Sequence, residues 1–257
     1  MAWNKFPHSD DSYVYTAASL KKAWSRLHAG DAEPFPKDAA LVEAWIAFHA
    51  GEFEKAAKLG LEQGVDGYSV ANKATSIYAN YLEKSDKKKL AFFEEVAERC
   101  EQQQAEQPQN AAAFYWHAYA LGRYAQGISI VKALSQGIGN KVKNSLDMTI
   151  KLAPKHADAH IGLGTYHAEI IDKVGAMIGG LTYGAKKEEG LKFFKTAITL
   201  NPHSAIARIE YANGLIMLEG KKKMNDAVKL YEEAAACEPL DAMERLDVEL
   251  AKEELED

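Results

Sequence analysis

Gln107-Pro108-Gln109-Asn110-Ala111, Ala153-Pro154-Lys155-His156-Ala157, Asn201-Pro202-His203-Ser204-Ala205 and Glu238-Pro239-Leu240-Asp241-Ala242 are four versions of one pattern. In each, a helix-like run stops at the proline and another starts two residues later. Proline disfavours the α conformation in the residue before it and cannot continue the preceding helix. Asn110, Ser204 and Asp241 are good N-cap residues for the run that follows, and His156 holds the same position as a poorer one. The stops recur at intervals of 46, 48 and 37 residues, which makes them a repeat.

Upstream of Pro108 the same grammar continues less regularly. Tyr13, Leu20, Trp24 and Leu27 predict an amphipathic helix over residues 12–28, and Asp31-Ala32-Glu33-Pro34-Phe35-Pro36 breaks it. Leu41, Ala44, Trp45 and Phe48 predict a second helix ending at Gly51, and Phe53, Ala56 and Leu59 a third. Two more are expected over about 68–83 and 87–105. Alternating strand patterns and hairpin dipeptides are missing, so the fold class is all-α, with about twelve helices in antiparallel pairs. The expected organisation is residues 1–106 as N-terminal helices with one degenerate repeat, 107–240 as three repeats, and 241–257 as a capping helix.

Composition supplies a core and excludes several functions. Of the 257 residues 47% are hydrophobic, enough for one long helical body. The net charge is −6 with lysines and acids interspersed, which argues against a nucleic-acid partner. Cys100 and Cys237 form neither a disulfide framework nor a metal spacing. No apolar run reaches the length of a membrane span, and no signal-peptide core or lipidation cysteine opens the chain. A cytoplasmic location is expected, with a periplasmic one as the alternative should a leader have been removed.

At Gly51-Glu52-Phe53-Glu54-Lys55-Ala56 the chain resembles the turn between the two helices of a tetratricopeptide repeat. The later units carry the resemblance further: Leu163-Gly164 with Gly190, Phe194 and Ala197; Tyr211-Ala212 with Ala227, Tyr231 and Ala234; and His117-Ala118 with Val142, Leu146 and Thr149. Small residues at Ala118, Gly164 and Ala212 let paired helices approach, while an aromatic such as Phe194 or Tyr231 fills the space beside them. That superfamily implies a solenoid of stacked helix pairs. The first two spacings exceed the family's 34 residues because apolar, glycine-rich inserts separate the paired helices at 127–139 and 174–184. This lengthened arrangement resembles two narrower families, the TRAP-transporter T-component lipoproteins of bacteria and the regulator of microtubule dynamics proteins of eukaryotes. The T-component resemblance implies a central apolar pore or cavity and a periplasmic solute-binding partner.

No Ser/His/Asp or Cys/His set is tied together by a motif, so the chain reads as non-catalytic, with no metal or cofactor. His156 and His160 have the i, i+4 spacing of a metal pair, but no glutamate lies between them in the metalloprotease arrangement. The expected function is a protein-interaction scaffold holding a protein or peptide in a concave groove. Repeat phasing assigns to that groove Tyr115, Tyr119, Arg123, Asp158, Ile161, Thr165, Glu169, Ile206, Ile209 and Asn213, and points Phe114 into the core. The alternative is a carrier of a small hydrophobic ligand, and a third reading has the inserts pack against the body or a second copy. In the inserts, Ile128, Ile130, Val131, Leu134, Met177, Ile178, Leu181 and Tyr183 are too many apolar groups to leave in water, so they are expected to fold onto something.

Overall fold

The computed structural model describes residues 3–256, except the side chains of Ile130 and Val131. Within that span the chain forms fourteen α-helices, three short 3-10 turns and no strand. The helices are α1 (Ala17–Leu27), α2 (Ala39–His49), α3 (Phe53–Glu62), α4 (Tyr68–Tyr81), α5 (Asp86–Glu106), α6 (Ala111–Gln126) and α7 (Ile130–Ser135). They continue as α8 (Ile138–Leu152), α9 (Ala157–Val174), α10 (Ala176–Tyr183), α11 (Lys187–Leu200), α12 (Ala205–Glu219), α13 (Met224–Ala235) and α14 (Ala242–Glu256).

The proline punctuation behaves as its chemistry requires. Asn110 accepts from the Ala112 N–H, and Ser204 from the Ala207 N–H. His156 also caps, its Nδ1 accepting from the Ala159 N–H at 3.1 Å. The first helix starts later than its periodicity suggested. Thr16 and Ser19 form a reciprocal capping box there, which leaves Tyr13 buried in a preceding 3-10 turn.

Two helices exceed the expected count, and both lie in the inserts that read as loops. Ser129 caps α7, and α10 runs between Gly175 and Gly184, whose φ values of 82° and 65° only glycine adopts readily. A helix satisfies its own backbone polar groups, so an apolar insert need not find outside partners for them.

The chain divides into two compact units. The first holds the N-terminal residues through His28, Glu33–Ala153 and Leu240–Met243; the second holds Ala29–Ala32, Pro154–Pro239 and Glu244 onward. In the first, α2 pairs with α3, α4 with α5 and α6 with α8. Its central element is α4, buried without interruption from Ser69 to Ala79. Polar residues on α4 are met by α5: the Gln103 amide donates to Ser69 Oγ, and Arg99 Nε to Asn72 Oδ1 at 2.8 Å.

In the second unit α9 pairs with α11 and α12 with α13. Phe194 on α11 fills the room left by two glycines. A Cβ on Gly164 would lie 2.7 Å from its ring, and one on Gly214 would also collide with it. The ring stacks on Tyr211 at 5.4 Å, with Ile161, Ala197 and Ala207 completing the cluster. The last helix covers the repeat before it: Val248 and Ala251 of α14 are buried with Ala205, Ile209 and Ala234.

Candidate functional site

In the first unit the site candidates lie on α6, α7 and α8. Tyr115 is buried, packed edge-on against Trp116, while Phe114 is only half-buried, the reverse of the phasing expected for these two. Tyr119 is half-buried, and the Arg123 guanidinium sits 5.3 Å from its ring centroid, bonding to Gln126 Oε1 at 3.1 Å. Lys132 on α7 repeats the device, its Nζ donating to the Tyr124 hydroxyl at 3.2 Å. An aromatic face holds a cation and keeps it ordered at the surface. Between Glu106 and Asp147 the sequence contains no Asp or Glu, while Arg123, Lys132, Lys141 and Lys143 are all basic. Composition averaged over the whole chain hides this stretch; charge counted along it finds it.

Helices α5, α6 and α8 together hold an arrangement that imitates a hydrolase triad. His117 Nδ1 lies 2.8 Å from Ser145 Oγ, and its Nε2 lies 3.5 Å from Glu101 Oε1. Both His117 and Ser145 are buried, and Ser145 is packed where α8 meets α6. The contact ties α6 to α8. Burial lowers the His117 pKa, the neighbouring Glu101 carboxylate opposes the shift, and Lys141 adds to it.

In the second unit the chain's own residues occupy several expected groove positions. The Asp158 N–H donates to the Gly30 carbonyl at 3.0 Å, and its carboxylate stands 2.6 Å from where a Gly30 Cβ would be. Ile161 and Ile209 are buried in the two helix clusters, and Ile206 packs beside them. Thr165 donates to Glu210 Oε2 at 3.1 Å, Asn213 accepts from the Tyr231 hydroxyl at 2.6 Å, and Glu169 is half-buried. Repeat phasing identifies which face of a helix looks inward. It does not show that a loop and a terminal helix of the same chain lie there.

The inserts divide between cover and exposure. Ile128 and Tyr183 are half-buried and Leu134 is exposed, while the side chain of Ile130 lies outside the described residues. Met177, Ile178 and Leu181 on α10 stand in solvent, at 76%, 51% and 85% exposure, instead of folding onto the body. A depression along α11, lined by Leu191, Lys192, Lys195, Thr196 and Thr199, is open and built from one helix, unlike an enclosed ligand chamber.

The histidines of α9 do separate jobs. His156 caps, His160 Nε2 lies 3.3 Å from the Pro154 carbonyl, and His167 Nδ1 accepts from the Lys186 N–H. Among the described residues no three His, Cys, Asp or Glu gather as a metal-holding group. Cys100 is buried, with its pKa pushed up by burial, and Cys237 is half-buried.

The family model described as regulator of microtubule dynamics protein 1-3 matches residues 66–257, most of the chain. The chain belongs to this family. Its fold is similar to the crystal structure of a thermophilic tetratricopeptide-repeat protein from Thermus thermophilus, with a TM-score of 0.57 at 15% identity, over 83% of this chain and 97% of that one. No curated protein sequence matches the chain.

One buried cluster in this family member was not legible from spacing. Asp241 Oδ2 lies 2.7 Å from His49 Nδ1, and His49 Nε2 lies 3.3 Å from His28 Nε2. Trp24 stacks on His28 at 3.8 Å and Trp45 meets it edge-on. The Lys73 ammonium lies 5.5 Å from the Trp45 ring centroid and 5.0 Å from that of Phe48. All of these residues are buried, and they fasten Leu240–Met243 to α2 inside the first unit.

Proposed function

We propose that the chain is a non-catalytic protein-interaction scaffold that meets an acidic partner through the α6–α8 surface. The fold and the family both support a scaffold. The observation that carries the surface is the acid-free stretch from Glu106 to Asp147 in a chain of net charge −6. Arg123 and Lys132 on it are each backed by a tyrosine ring, which limits the freedom they lose on binding. The family's name speaks of microtubule dynamics, and a microtubule offers an acidic surface, so polymerised microtubules are the first partner to test.

Co-sedimentation of the full chain with microtubules is expected to show binding that weakens as salt rises, because surface charges are screened within about 10 Å at 0.1 M. The pair Arg123→Glu and Lys132→Glu should reduce it by roughly tenfold or more, since like charges facing across an interface are repulsive. Binding that survives both reversals sinks the surface. Wild-type chain left in the supernatant sinks the microtubule as partner.

A further inference from the structure

The α10 helix faces the wrong way for an element that only completes a core. A surface helix ordinarily turns its large apolar side chains inward. Here glycine faces the body: Gly179 is buried, and a Cβ there would meet Ile170 Cγ2 at 3.2 Å. Met177, Ile178 and Leu181 point out, and Leu181 is the most exposed of the large hydrophobic residues described. The orientation is fixed at its C-terminal end. The Tyr166 hydroxyl donates to the Tyr183 carbonyl at 3.0 Å, and the Ala185 N–H to the Gly179 carbonyl at 3.0 Å.

We propose that α10 is an interfacial anchor for a phospholipid bilayer, with Met177, Ile178 and Leu181 entering the boundary between headgroups and acyl chains. Two observations favour this occupant. The first is size. Eight residues make a helix about 12 Å long, too small to cover the ~800 Å² per partner of a stable protein interface. A shallow apolar contact with lipid needs no such area, because its strength grows with whatever apolar surface enters plus attraction to anionic lipid. The second is charge. No charged residue lies between Lys173 and Lys186, which are both exposed and bracket the helix where lipid phosphates would lie. Asp172 and Glu188 lie outside that bracket, and Lys187 is paired with Glu219 at 2.8 Å. Among the described residues no helix is long and apolar enough to cross a membrane, so the contact is superficial. In the other unit α7 carries related chemistry, with exposed Leu134 close in sequence to Lys132.

Flotation of the full chain with phosphatidylcholine vesicles, with and without phosphatidylserine, tests the anchor. Wild type is expected to float, and more so with phosphatidylserine. Leu181→Asp should lower the bound fraction about tenfold, as loss of a buried leucine would, and Met177→Asp should act in the same direction. Leu181→Met should still float. Circular dichroism, melting and microtubule co-sedimentation of the Asp variants should match wild type, which separates this anchor from the α6–α8 surface. The anchor is overturned if wild type does not float, or if Leu181→Asp floats as wild type does. It is also overturned if light scattering shows a wild-type dimer that Leu181→Asp dissolves without any flotation. Binding indifferent to phosphatidylserine overturns the part given to Lys173 and Lys186.

Discussion

At the scale of single residues, the tightest constraint falls on Gly164. Its missing side chain is where the edge of the Phe194 ring lies, and Gly214 offers the same room from the other side. Gly164→Leu must displace that ring from a fully buried site, and overpacking of this kind costs about 1–3 kcal/mol. A thermal melt should show a clear drop; coincident melts would mean that α9 and α11 are not held together at this point. His117 gives a second outcome, in acid. Burial holds its folded pKa below the ordinary value of about 6.5, so the unfolded chain takes up a proton that the folded chain resists. Its contribution to stability is therefore full above about pH 6.5 and is lost as pH falls through the folded value. His117→Gln should flatten the fall of the denaturation midpoint between about pH 7 and 5. An unchanged slope would show that acid acts elsewhere, with His160, whose pKa burial also lowers, the next residue to test.

At the scale of elements, what sequence disclosed was local and what it concealed was distant. The stops at Pro154 and Pro202 and the caps at Asn110 and Ser204 are written within a few residues of one another, and each helix boundary there follows from them. Phe194 was legible too, because a small residue and an aromatic at fixed repeat positions imply each other's volume. The inserts misled for a physical reason. Glycine-rich apolar runs score as loops by propensity, yet Gly175 and Gly184 serve α10 as its ends, and Gly179 within it as a seat on α9. The expected groove failed differently. Ile209, expected in the groove, is buried against Val248 and Ala251 of α14, a helix placed far along the chain. Asp241 looked like a helix cap by position, and its carboxylate meets His49, 192 residues away in sequence.

At the scale of the whole molecule, neither unit is a continuous stretch of chain. Leu240–Met243 belongs with the first unit and Ala29–Ala32 with the second. Fragments 1–153 and 154–257 would each lack a strand of packing: the first loses the Asp241 carboxylate beside His49, the second the Gly30 carbonyl that accepts from Asp158. A buried polar group left without its partner costs about 1–3 kcal/mol. Each fragment should therefore unfold at lower urea than the corresponding transition of the intact chain, and a first fragment as resistant as the whole would refute this. The same arrangement sets a schedule for biosynthesis. The ribosome delivers His49 and must then add 192 residues before Asp241 appears. At about 5–20 residues per second that interval lasts roughly 10–40 s. From Ala153 until Asp241 emerges the first unit has its helices α1–α8 but lacks its closing carboxylate, so it can close only after most of the second unit has been made.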